Sequence, residues 1–168
     1  MNILLSAKFF PGHFKAGENT DFARKVINGT KKHTVRSNYE YWRAKLERAK
    51  ETTGRVVSLR QWEDKPSRSR QQVILDIPAS RCNIQRLEIE RWKRIRLQDM
   101  AKSIYLDGYY YFGYIEKGYG LKEVSLSEVA KNDGLSPMEF AAFFAPVFDR
   151  TKLDRLSFAV IQFGDLIY

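Results

Sequence analysis

Hydrophobic and polar positions change period several times along the chain, and each change marks an element. From Asn2 to Phe9 the residues are mostly apolar and suit a buried first strand, broken at Pro11-Gly12. Phe22, Ala23, Val26 and Ile27 then fall at helical spacing, behind Thr20 as a candidate cap and ahead of Gly29 as a terminator. After the glycine, Lys32, Thr34 and Arg36 alternate with His33 and Val35. An extended run there puts cations and a hydroxyl on the face opposite Val35. Helical spacing returns with Tyr39, Trp42, Leu46 and Ala49, while Arg43, Lys45, Arg48 and Lys50 occupy the other faces and Gly54 closes the segment.

The second half reads mostly as sheet. Val56 to Trp62 predicts a strand with Val57 and Leu59 on one side and Ser58, Arg60 and Trp62 on the other. Glu63 to Arg70, with Pro66 and the cations Lys65, Arg68 and Arg70 among serines, predicts an exposed loop. Strand character resumes from Gln72 to Ile77, stops at Pro78, and returns from Asn83 to Glu90. Arg91 to Arg96 packs four cations around Trp92 and Ile95, which suits either a charge-protected edge strand or a patch for a polyanion. Asp107-Gly108 between two β-prone runs is the sharpest hairpin signal in the chain.

Two helix starts follow. Ser125 with Glu128 forms one capping pattern, and Ser136-Pro137-Met138-Glu139 forms another with proline at the first helical position. Phe140, Phe143, Phe144 and Val147 then make a stripe read as the buried face of the second helix. Phe158 to Phe163, apolar on both faces apart from Gln162, predicts a central strand. Strands outnumber helices in a mixed order with no internal repeat. The expected class is α+β, a curved sheet or small barrel with helices against it, in a single domain over 1–168.

Charge changes this picture more than composition does. The net charge of +9 is uneven, because residues 1–102 carry 23 Lys or Arg against 11 Asp or Glu, whereas the rest carries 6 against 9. The first part therefore suits a polyanionic partner. A single cysteine, Cys82, excludes an internal disulfide and a cysteine-rich metal site, and two histidines are too few for a histidine-built zinc centre, so neither metal nor cofactor is expected. The Ile3-Leu4-Leu5 run is too short to cross a membrane and no leader pattern precedes it, so the chain is expected in the cytoplasm without a membrane partner.

The candidate chemistry sits at Gly29-Thr30-Lys31-Lys32-His33-Thr34-Val35-Arg36. Gly29, Lys31, Thr34 and Arg36 match a Gly-x-Lys-x-x-Thr-x-Arg pattern, and the stretch resembles the signature of ASCH domains, relatives of the PUA RNA-binding fold. The resemblance extends in pieces from Asp21 onward, through the Asn132-Asp133-Gly134-Leu135 turn and the closing strand. It is poor between about 76 and 121, which implies an insertion or elaboration there.

Some ASCH proteins are amidohydrolases acting on N4-acetylcytidine. Carried onto this chain, the resemblance implies Lys31 as general base, Thr34 as nucleophile and Asp133 as the nearest counterpart of the family carboxylate. A lysine can take a threonine proton once desolvation or neighbouring cations such as Lys32 and Arg36 lower its pKa. Lys31 and Thr34 are three residues apart, so they converge only if Lys31 still belongs to the turn. The sequence also departs from those hydrolases, which are shorter and carry a glutamate where Asp133 is one methylene shorter.

A binding module without turnover is the leading expectation. RNA, another nucleic acid or a nucleoside is the partner, with Lys31, Lys32, Arg36, Arg60 and Arg43 meeting phosphates and Trp62 stacking on a base. An adaptor for an acidic protein surface is the third alternative, its partner unknown.

Overall fold

The structure is a computed structural model that describes residues 1–63 and 67–168. Lys65 and Pro66 of the expected loop lie outside the described residues. The chain forms an α+β fold in which a strongly curled, half-barrel antiparallel sheet carries a few helices.

Strands β1 (Asn2–Leu5), β3 (Val56–Trp62) and β4 (Gln71–Pro78) form a three-stranded sheet, with β1 parallel to β3 and β4 antiparallel to it. The larger sheet runs in the order β2 (His33–Ser37), β9 (Arg155–Phe163), β5 (Cys82–Trp92), β7 (Tyr109–Lys117) and β6 (Ile104–Leu106). Strand β8 (Gly120–Val124) continues the line of β6 along the free edge of β7. β9 lies between β2 and β5, and its residues 158–162 are all buried, as an apolar run without alternation requires. The 76–121 stretch, where the family resemblance fades, supplies β5, which holds β9 and β7 together.

The hairpin from β6 to β7 turns at Asp107 (φ 50°) and Gly108 (φ 82°), both left-handed, with Leu106 paired to Tyr109. That is the two-residue turn whose twist matches the flanking strands. Helix α1 (Phe22–Ile27) has Asp21 rather than Thr20 at its N-cap position, but Asp21 makes no side-chain capping bond, and it is the Thr20 hydroxyl that accepts the Phe22 N–H, at 3.4 Å. Helix α2 (Tyr39–Lys50) starts at Asn38, whose side chain accepts from the Tyr41 N–H. Helix α3 (Leu126–Asn132) starts at Ser125, and α4 (Pro137–Thr151) starts in a complete Ser136/Glu139 capping box.

One hydrophobic core joins both sheets to the helices. α4 lies over the curled sheet, with Phe144 edge-on to Phe158 of β9 at 4.7 Å and Phe148 edge-on to Tyr111 of β7 at 5.7 Å. The expected Phe stripe is only partly core. Phe140 is buried, but Phe143, Phe144 and Val147 are half-exposed, because they look into a cleft. No helix among the described residues is long and apolar enough to cross a membrane.

Candidate functional site

The turn after α3 is held in place by lysines from the segment around α1. The Asn132 carbonyl accepts the Lys32 N–H at 2.7 Å, the Asp133 carbonyl accepts from Lys31 Nζ at 2.7 Å, and the Gly134 carbonyl accepts from Lys25 Nζ at 2.7 Å. Two ammonium groups thus meet a helix C-terminus, where the backbone dipole favours cations. Gly134 stands at φ 74° with Lys25 and Lys31 carbons 3.1 and 3.2 Å from where a Cβ would be. A side chain there has neither the backbone conformation nor the room.

This clamp creates a buried ion pair, Lys31 Nζ to Asp133 Oδ1 at 2.6 Å, with the lysine side chain fully inaccessible. The ammonium also lies 4.0 Å from the centroid of the Phe22 ring. Its three N–H directions therefore have two oxygens and one aromatic face to meet. Burial drives the Lys31 pKa down from 10.5 to about 8 against the opposing pull of Asp133. Burial likewise pushes the Asp133 carboxyl up, opposed by Lys31 and Arg36.

A second buried chain ends near the same carboxylate, with His33 Nε2 left without a hydrogen-bond partner among the described residues. Asn132 Nδ2 donates to the Tyr168 hydroxyl at 3.0 Å, which leaves that hydroxyl to donate to His33 Nδ1 at 3.1 Å. The neutral imidazole then carries its proton on Nε2, 3.9 Å from Asp133 Oδ1. Burial, with Lys31 adding to it, holds the His33 pKa well below 6.5.

In front of these groups opens a cleft of about 220 Å³ between β2 and α4. Phe22, Phe143, Phe144 and Phe158 wall it, and Thr34, Arg36 and Asp133 contribute to its polar lining together with Ser6 and Ser37. The Thr34 hydroxyl makes no hydrogen bond among the described residues. Arg36 donates through Nη2 to the Leu4 carbonyl and makes no salt bridge among the described residues, while burial lowers its pKa with Asp133 opposing. A planar, polar-edged ligand is what such a hollow accepts: aromatic faces on the sides, with donors and an acceptor at one end.

Of the residues singled out in the sequence, the structure brings Thr34, Arg36 and Asp133 to one cleft. Lys31 joins them from behind, through Asp133, and does not line the hollow. Lys32 is exposed and does not line the cleft, while its backbone N–H donates to Asn132 and its carbonyl accepts from Phe163. Arg43 lies on the surface of α2 with Glu40 at 3.3 Å and Glu47 at 3.9 Å. Arg60 donates to Ser58 Oγ at 3.0 Å, and Trp62 pairs with Gln71 at the end of β3; neither lines the cleft. Sequence reasoning missed the phenylalanine walls, whose helical spacing reads equally as core, and the His33–Tyr168 link, which joins residues 135 positions apart. Among the described residues no group of three or more His, Cys, Asp or Glu is placed to hold a metal ion.

Comparisons with known proteins return nothing: no family model matches the chain, and neither the curated proteins nor the solved structures contain a match.

Proposed function

We propose that this chain is a PUA-like protein of the ASCH type that takes a nucleobase, presented by RNA, into the cleft between β2 and α4. The observation that carries this reading is the convergence of an unpartnered Thr34 hydroxyl, the Arg36 guanidinium and the Asp133 carboxylate in a hollow walled by four phenylalanines. Aromatic faces hold a base by stacking, while donors and acceptors at one end read its edge. Arg36 suits a carbonyl or phosphate oxygen, Asp133 suits an exocyclic amine, and Thr34 serves as donor or acceptor. The surplus of basic residues in 1–102 supports a polyanion as the carrier of that base.

Calorimetric titration of the protein with cytidine and with a short single-stranded RNA tests it. Affinity for the RNA falls steeply with added salt, and Thr34→Val weakens both ligands by about 3- to 10-fold, the worth of one hydrogen bond, with the melting temperature unchanged. An affinity indifferent to salt and to Thr34→Val removes the reading.

A second reading, hydrolysis of an acylated cytidine, is favoured by the free Thr34 hydroxyl in the same cleft as Asp133, the carboxylate that bonds a lysine whose pKa is about 8. In it the Thr34 oxygen attacks the acyl carbon, the threonine proton passes through the Asp133–Lys31 pair to the departing amine, and water then hydrolyses the acyl-threonine, its hydroxyl going to the acid and its other hydrogen back to the Thr34 oxygen. Asp133 both lines the cleft and bonds Lys31. Following acetate release from N4-acetylcytidine in the same preparations decides it: release should climb through about pH 8 and vanish in Thr34→Val.

A further inference from the structure

The Arg91 to Arg96 run separates into two parts. Arg91 turns inward, 7% exposed, with Nη1 2.6 Å from Asp149 Oδ1 and its guanidinium 4.3 Å from the Tyr109 ring centroid. Trp92, the last residue of β5, faces the other way and stands 51% exposed. Its indole is held in place, because Nε1 donates to Glu90 Oε2 at 3.1 Å and Glu90 is itself held by Arg155 Nε at 2.5 Å. A groove opens on each side of the ring, of about 510 and 580 Å³.

The charged groups around this ring balance in number, but most of the carboxylates are taken up in ion pairs with three of the cations. Lys102 is paired with Glu123, Arg155 with Glu90 and Glu88, and Arg91 with Asp149 and Asp154. What remains is Arg94 and Arg96, which make no salt bridge among the described residues, Lys93 over the Tyr109 ring at 5.7 Å, and one carboxylate, Asp99. An aromatic plate fixed in orientation and flanked by two arginines without a salt bridge among the described residues, with Lys93 over the Tyr109 ring beside them, has the two components that hold a single strand: a surface for a base and charge for the adjoining phosphates.

We propose that the Trp92 face is a second binding surface, where a single-stranded polynucleotide stacks a base on the indole and sets its flanking phosphates against Arg94, Arg96 and Lys93. This rests on the nucleic-acid reading of the protein but not on the phenylalanine cleft. An acidic peptide would satisfy the cations and leave the plate unused.

The test titrates the whole chain with octauridylate and with octaglutamate, as wild type, Trp92→Ala and Arg94→Ala/Arg96→Ala. Arg94 and Arg96 are exposed, so the double variant should melt with the wild type, whereas Trp92→Ala gives up the indole bond to Glu90 and is titrated well below its own melting transition. Trp92→Ala weakens octauridylate by about 5- to 150-fold, and the double variant flattens the slope of log affinity against log salt by about 1.4. Octauridylate affinity unchanged by both variants overturns the proposal, as does octaglutamate binding as tightly as the RNA. Thr34→Val separates the two sites: loss of octauridylate binding there, with none at Trp92, leaves the cleft standing and this surface refuted, whereas the reverse pattern leaves this surface and refutes the cleft.

Discussion

Lys31 and Asp133 concentrate the physics of this protein in two side chains. Each is an ion that burial penalises, and each is stabilised chiefly by the other, at 2.6 Å. Such a pair contributes little over two apolar residues of the same volume, but removing one member strands the other as an uncompensated charge. Asp133→Asn should therefore cost about 3–5 kcal/mol in urea unfolding. Adding Lys31→Met in that background should recover part of the loss, because no buried charge then remains. A double variant no more stable than Asp133→Asn alone would show that the turn, rather than the charge, sets the cost. The sequence made both residues candidates, but it put the lysine in the hollow. The packing of Phe22 over the ammonium puts it behind.

Elements are where the sequence was read best. Every helix and strand expected from periodicity is present, with ends shifted by a few residues: β3 spans Val56–Trp62 as expected, whereas β5 runs on to Trp92. What periodicity did not convey is how closely elements approach. Gly113 in β7 faces Leu126 at the start of α3, and a Cβ there would stand 2.9 Å from Leu126 Cγ and 3.2 Å from Val124 Cγ1. Leu126 is itself 1% exposed, so it has little room to yield. Gly113→Ala should cost about 1–3 kcal/mol by overpacking, read as a lower melting temperature. Gly120→Ala, where nothing lies within 4 Å, is the control and should be close to neutral.

At the scale of the whole molecule the buried imidazole ties stability to pH. His33 joins β2 to Tyr168 and the end of α3, and its folded pKa is depressed below 6.5 by burial. The unfolded chain binds the proton first, so this contribution is complete above pH 6.5 and is lost as pH falls through the folded pKa. Stability should drop below pH 6.5 with a slope of up to about 1.4 kcal/mol per pH unit. His33→Asn, which keeps an acceptor for the Tyr168 hydroxyl, should flatten that slope when denaturant midpoints are compared at pH 7.5 and 5.5. An unchanged slope would place the acid sensitivity elsewhere.

What the sequence by itself determined is local. Period, caps and turn residues act within a few positions, so the elements, the two-residue hairpin turn, the capping box of α4 and the uneven charge could all be read from neighbours in the chain. The tertiary structure alone decided which of those residues face one another. The cleft exists because the turn after α3 is clamped onto the segment around α1 from about 100 residues away. That clamp settles which phenylalanines of α4 stay half-exposed as walls and on which side of Phe22 the lysine comes to rest. Contacts across such distances depend on the shape of the closed fold, and no spacing within the chain encodes that shape.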